Sequence, residues 1–198
     1  MKQSLIGNLK KGLIFVVSAP AGTGKTTLTR MLTDEFSCVV ESISSTTRSI
    51  RPGEIHGKDY HFLNEMEFQA KIEAGEFLEF THIYGAYYGT SKKTVQELQE
   101  KGKHVVLVID TQGAMKLKGK IPAVFIFIRP PSLAELRVRL FNRKTEDDRS
   151  IQERLAWAEK EIEAAQHYDY LIVNENLQMA YEILRSIVIA EEHHTRRD

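Results

Sequence analysis

The sequence predicts a three-layer α/β fold built on a parallel central sheet. Three observations carry that expectation. Short apolar runs rich in β-branched residues alternate along the chain with amphipathic helical stretches. Those runs are apolar throughout rather than at every second residue, as strands covered on both faces are. And the first run passes into the first helical stretch through a glycine-bearing turn, an arrangement that gathers backbone N–H groups around one point.

Taken in order, "GLIFVVS" (12–18) reads as the first strand and "GKTTLTRMLTDEF" (24–36) as the first helix. Further strands follow at "HVVLVID" (104–110), "AVFIFI" (123–128) and "YLIV" (170–173), with helices at "SLAELRVRLFN" (132–142) and "SIQERLAWAEKEIEAAQ" (150–166). In the last helix Ile151, Leu155, Ala158, Ile162 and Ala165 recur at helical spacing on one face. Trp157 lies off that stripe and reads as packing against a neighbour. Two segments break the rhythm. Residues 36–92 are more polar, and alternating pieces such as "DYHFL" and "FLEFTHIY" imply a small antiparallel sheet. Residues 137–154 are dense in arginine and acid. Both read as insertions into a single domain spanning 1–198, whose core is then 1–35, 93–136 and 155–198; insertions of this kind are candidates for moving parts.

Composition narrows the function. With 198 residues, 42% of them hydrophobic and 27% charged, the chain can bury a core of its own. Its formal net charge of zero offers no bulk field for nucleic acid, so anion-binding groups must be sought locally. No apolar run approaches the ~20 residues of a membrane span. "LIFVV" is shorter than the ~7–15 apolar residues of a signal-peptide core, and the glycine turn overlaps the would-be cleavage site, so the cytoplasm is the expected location. The lone cysteine, Cys38, sits beside Val39 and Val40 and reads as a core residue in a reducing compartment. His193 and His194 have no partner at metal-ligand spacing.

"SAPAGTGKTT" (18–27) matches the phosphate-binding pattern G-x-x-x-x-G-K-[ST] except at its first position, where Ala19 replaces glycine. Ala19, Pro20, Ala21, Gly22, Thr23, Gly24, Lys25, Thr26 and Thr27 are accordingly the expected nucleotide-contacting residues. Lys25 would reach the outer phosphates and Thr26 would offer its hydroxyl to Mg²⁺. Alanine at position 19 is tolerable unless φ there is positive. A turn that merely packs has little use for a lysine and a threonine. The loop alone fits an ATPase, a nucleotide switch or a small-molecule kinase; the guanine-nucleotide switch is set aside because N-K-x-D is absent.

The polar insertion adds a second anion site. "SISSTTRSIRPGEIHGKDYHF" (42–62) carries Arg48 and Arg51 three residues apart, then Tyr60, a set suited to clamping a phosphate. "FLEFTHIYGAYYGTS" (77–91) sets Glu79 on a strand among apolar residues, followed by Tyr88 and Thr90. With "VIDTQGA" and "YDYLIVN" behind them, these motifs resemble the guanylate kinase family, and the likeness runs from about Gly12 to near the C-terminus. The resemblance implies a P-loop kinase fold with a core, a GMP-binding lobe (36–92) and an arginine-rich lid (137–154), transferring phosphate from MgATP to GMP and dGMP in purine nucleotide recycling. It implies Arg48, Arg51, Tyr60 and Tyr88 on the GMP phosphate, and Ser44, Glu79, Thr90 and Asp110 around the guanine. It implies Asn174 on the ATP side, with Arg139, Arg143 and Arg154 reaching the transferring phosphoryl. The chemistry agrees, since a carboxylate at Glu79 can accept from guanine N1–H and the 2-amino group while the Ser44 and Thr90 hydroxyls donate to O6.

The chain departs from the family's usual pattern at Val108, where an acid is usual, at Ala86 for asparagine, at Lys144 for glycine, and at "NEN" (174–176) for "NDD". Val108 leaves Asp110 as the only acid on that strand face, its role divided between guanine and the outer shell of magnesium. The alternative is a catalytically weak kinase-like module that binds phosphopeptides; Gly24-Lys25-Thr26 and the lid arginines argue against it. The expected partners are the small molecules GMP and ATP, with no nucleic acid and no membrane, in a monomer or homodimer.

Overall fold

The structure, a computed structural model, describes residues 5–142 and 148–195, with the side chains of 148–151 left aside. Five strands form the central sheet: β1 (Ile14–Ser18), β2 (Val39–Glu41), β7 (His104–Val108), β8 (Val124–Arg129) and β9 (Tyr170–Val173), in the order β2-β7-β1-β8-β9. Every pairing in it is parallel. The continuous apolarity of these runs is explained by burial on both faces. Helices α1 (Lys25–Glu35) and α7 (Leu177–Glu192) pack Leu28, Leu32, Leu184 and Val188 against Phe15, Val17 and Ile126. On the other face, α3 (Lys92–Glu100) and α4 (Thr111–Leu117) bring Val95, Ala114 and Leu117 onto Val16 and Leu107. Strand order reverses around β1, and in open parallel sheets the crevice beyond the carboxyl ends of the strands at such a point is where ligands bind. The phosphate-loop sequence leaves β1 at that spot.

A second sheet, ordered β4-β3-β6-β5, is built from β3 (Ser45–Thr46), β4 (His61–Phe62), β5 (Phe77–Ile83) and β6 (Ala86–Ser91). It is mixed rather than antiparallel as expected: β3 pairs parallel with β4 because the loop 47–60 carries the chain back before β4 begins. Helix α2 (Glu65–Glu73), opened by an Asn64–Glu67 capping box, covers the sheet and stacks Phe68 on Phe77 at 4.5 Å and on Tyr87 at 5.4 Å. A further difference concerns β2. The sequence groups Val39–Glu41 with the insertion, but they pair with β7 at the edge of the central sheet, Val39 opposite His104. Three residues are too few to show a period, so only the pairing identifies them. Cys38, just ahead, is half-buried against the same core.

Helices α5 (Leu133–Asn142) and α6 (Asp148–Glu163) pack on each other through Leu136, Leu140 and Ala158. The described parts of the arginine-rich segment are therefore helical. Of the expected stripe, Ala158 is buried and Leu155 packs against it. At the amino end of β7, His104 is fully buried. Leu13 N–H donates to its Nδ1 at 3.1 Å, which leaves Nε2–H to donate to Glu192 of α7 at 2.6 Å. Glu192 also accepts from the backbone of Gly7 and from the backbone and side chain of Asn8. That carboxylate ties the N-terminal segment, the central sheet and the last helix together.

Candidate active site

One wall of the site is the turn between β1 and α1. Gly22 and Gly24 have φ of 89° and 97°, which only glycine adopts without strain. Ala19 does not have a positive φ, so the missing first glycine leaves no strain behind. Gly24 is the N-cap of α1 and offers no side chain to the first-turn amides. Helices α2, α3, α4 and α7 are capped by Asn64, Ser91, Asp110 and Asn176 respectively. α1 thus keeps for an anion the amide that each of these neighbours gives to its own cap. Lys25 Nζ donates back to the Ala19 carbonyl at 3.0 Å, and Thr26 and Thr27 are exposed on the first turn.

The opposite wall belongs to the second sheet. Arg48 makes a bidentate pair with Glu54 at 2.7 and 3.0 Å, and its guanidinium lies 5.4 Å from the centroid of Tyr60, whose ring meets Tyr88 edge-on. Burial opposes the charge on Glu54, but hydrogen bonds from Arg48 and the Arg51 backbone outweigh it and hold the carboxyl below its usual range. The fork that suits a phosphate is therefore filled by a carboxylate of similar shape. Arg51 is exposed at the rim.

Glu79 reaches the cleft by way of an irregularity in β5. Phe77 pairs with Ser91, but Glu79 pairs with Thr90, so the register shifts between them. Residues two apart on a regular strand share a face. Here Phe77 stacks on α2 while Glu79, Thr81 and Ile83 line the cleft. Burial raises the Glu79 carboxyl to about 7, against the opposing effect of a 2.6 Å hydrogen bond from the Thr90 hydroxyl. Thr90 has one hydroxyl proton, and it is given to Glu79; the expected donation to a base carbonyl is not open to it in this arrangement.

Asp110 also differs from expectation. It lies beyond the end of β7 and caps α4, one oxygen accepting from Gly113 N–H and the other from the Thr81 hydroxyl at 2.6 Å. Val108 and Asp110 therefore do not share a strand face, because the strand ends before the acid. Asp110 is a tie between the central sheet and the inserted one.

These walls enclose a cleft of about 390 Å³. It brings together Ala19, Pro20, Ala21, Gly22, Gly24, Lys25, Thr26, Thr27, Ser44, Arg48, Arg51, Tyr60, Glu79, Tyr88, Asp110 and Arg154, all expected from the sequence. Thr23, Thr90, Arg139 and Asn174 lie behind its lining. Asn174 donates from its side-chain amide to the Thr23 carbonyl at 2.7 Å, and Arg139 donates to the Asn174 carbonyl at 3.1 Å. Asn174 thus props the phosphate loop through Thr23. Arg143 and Lys144 lie outside the described residues.

The family model described as "Guanylate kinase" matches residues 11–191 of the chain. A guanylate kinase of Protochlamydia amoebophila is 59% identical over 187 residues, covering 94% of this chain and 95% of its own. One from Chlamydia trachomatis serovar D is 52% identical over 181 residues, covering 91% and 88%. The chain belongs to the guanylate kinase family. Among solved structures, the guanylate kinase of Anaplasma phagocytophilum superposes with a TM-score of 0.78 at 35% identity, covering 97% of this chain and 91% of that one. The SH3-kinase fragment of tight junction protein 3, at 15% identity and a TM-score of 0.53, shares the fold alone.

Sequence reading overlooked three residues of this guanylate kinase family site. Glu161 of α6 is only 6% exposed yet lines the cleft, and burial lifts its carboxyl to about 7 despite the nearby Lys25. It follows Ala158 by three positions, so the helical spacing that marked the apolar stripe also put it beside that stripe. Gly113 lies so close to Glu79 that a Cβ there would stand 2.5 Å from Oε2. Glu54 sits within the quoted arginine motif, and its pairing with Arg48 is set by the fold of the loop between them.

Proposed function

We propose that the chain transfers the γ-phosphate of ATP to GMP, and to dGMP, giving ADP and a guanosine diphosphate. One observation carries this reading: an uncapped, glycine-turned helix start and an arginine–tyrosine clamp face each other across one cleft, with a buried carboxylate at the clamp's inner side. The first suits a triphosphate, the second a monophosphate, and the third the two donors on the guanine edge. Adenine would turn an acceptor toward Glu79 and leave it unpaired, which can cost roughly 10⁴-fold in selectivity.

The GMP phosphate displaces Glu54 from Arg48, trading one bidentate anion for another, while Tyr60 and Tyr88 border the same spot. Its second ionisation, near ~6, leaves it largely dianionic at neutral pH, so no side chain must deprotonate it. Catalysis is then placement and charge neutralisation. Lys25 leaves the Ala19 carbonyl for the outer phosphates, and Arg154 meets the transferring group from α6; the family resemblance assigns Arg139 and Arg143 to the same group. Thr90 and Gly113 fix the Glu79 carboxylate. The Thr26 hydroxyl, exposed at the loop, shares the cleft with Asp110 and Glu161, a set of hard oxygen donors that fits Mg²⁺. Among the described residues no group of three or more acids, histidines and cysteines is placed to hold a metal by itself. When bound, the ion neutralises charge on the phosphate oxygens.

The curated relatives do not favour the phosphopeptide-binding alternative. No helix among the described residues is long and apolar enough to cross a membrane; a cytoplasmic location is our reading. An ADP-release assay with MgATP against GMP, dGMP, AMP and pyrimidine monophosphates tests the proposal. Turnover should be confined to the guanine substrates and fall ~10³-fold or more in Lys25→Ala. Equal turnover of AMP, or none of GMP, would sink it.

A further inference from the structure

The hairpin that carries Glu79 and Tyr88 ends in an unusual turn. Ile83 pairs with Ala86, so Tyr84 and Gly85 alone make the connection, with φ of 52° and 73°. Two-residue hairpin turns with positive φ at both positions take Asn-Gly or Asp-Gly. Tyr84 is the only non-glycine residue with positive φ among those described, and a bulky side chain there is an outlier. Such an outlier persists when its surroundings hold it.

What holds Tyr84 is α6. The Arg154 guanidinium lies 5.5 Å from the centre of its ring, and Trp157, one helical turn on, meets it edge-on at 6.2 Å and 75°. Lys160 in turn lies over Trp157 at 5.3 Å. Arg154 also lines the cleft. The tip is therefore the point where the sheet that bears Glu79 and Tyr88 touches the helix that bears the arginine.

We propose that Tyr84 is a positioning residue: by docking the inserted sheet onto α6 it sets Arg154 in the cleft, so that occupancy by the monophosphate is coupled to placement of the cation that meets the transferring phosphoryl. This rests on the role given to Arg154 above. Tyr84 borders the same cleft at the hairpin tip, where its ring meets Arg154; the residue is 46% exposed and belongs to none of the core clusters. The strained turn is kept for the contact it makes.

The chain's single tryptophan, Trp157, reports the contact directly. Tyr84→Gly removes the ring and relieves the positive φ, so it should unfold at the same temperature as wild type or higher. Its kcat should fall about tenfold, between what loss of an exposed and of a desolvated cation–π contact predicts, with KM for GMP within about threefold. The change in Trp157 emission on adding GMP should disappear, and Tyr84→Phe should restore both readouts. In an Arg154→Ala background, Tyr84→Gly should cost less than about twofold more, because the two act as one unit. A kcat within about twofold of wild type, a full tenfold further loss in the Arg154→Ala background, or an equal loss in Tyr84→Phe would overturn the proposal. Identical Trp157 spectra of ligand-free wild type and Tyr84→Gly would overturn the contact itself, whether or not GMP is the substrate. Absence of GMP turnover in wild type would strike the functional reading instead.

Discussion

Two ends of the central sheet bury carboxylates in opposite ways. At the cleft, Glu79 and Glu161 are lifted by burial to about 7. At the far end, the side chain of Glu192 is only 2% exposed, yet its carboxyl is held down at about 2; burial opposes this, but the Gly7 and Asn8 amides, His104 and the Asn8 side chain outweigh it. All three are shielded from water. The difference lies in the donors: Glu192 has its acceptor capacity met by the fold, whereas Glu79 holds the Thr90 hydroxyl and keeps room for more. A carboxylate satisfied by its own chain is a structural tie, and one left short of donors is a place for a ligand that brings them.

The contrast can be broken from either side. The largest effect is expected at the cleft. Glu79→Ala should lower kcat/KM for GMP by ~10³-fold while leaving AMP near its wild-type level. Apo stability should hold or rise, because a charge that costs free energy to bury is gone. Calorimetry alongside kinetics distinguishes this from misfolding. Glu192→Gln should do the reverse. Its amide group meets donors with a donor, and unfolding should become easier by about 3 kcal/mol in a urea titration, with kcat/KM unchanged.

The smallest effects are in pH. Glu192 has a folded value far below the ~4.3 of an unfolded chain. Its stabilisation is complete above ~4.3 and is lost as pH falls toward 2. Glu79 is displaced upward, so the native state binds its proton more tightly than the unfolded one. That contribution is complete below ~4.3 and is lost as pH rises through about 7. Guanine donors favour the ionised form, so GMP should bind more tightly as pH rises across 7. From pH 8 to 6 the wild type should lose roughly tenfold more affinity than Glu79→Gln, which shares only the ionisation of the GMP phosphate. Parallel curves for the two proteins would remove Glu79 from the guanine site.

Much of this molecule was legible residue by residue. The apolar strand runs, the loop "SAPAGTGKTT" and the arginine–tyrosine motif are local signals whose spacing states their purpose, and the cleft gathers nearly all of the residues they named. The illegible parts depend on partners distant in sequence. β2 is a strand because β7 lies beside it. Asp110 became a helix cap because β7 stopped two residues early. Asn174 turned toward Thr23, far away along the chain, and Thr90 gave its proton to Glu79 across a hairpin.

The sequence by itself determined the layer order, the anion-binding turn and the chemical kind of each wall of the cleft, since those follow from periodicity and residue type. Only the tertiary structure decided which buried acid is spent and which is in reserve, and how far each carboxyl moves from its ordinary value. That is because hydrogen-bond saturation and desolvation belong to the neighbours that folding assembles around a group, and no stretch of sequence contains them.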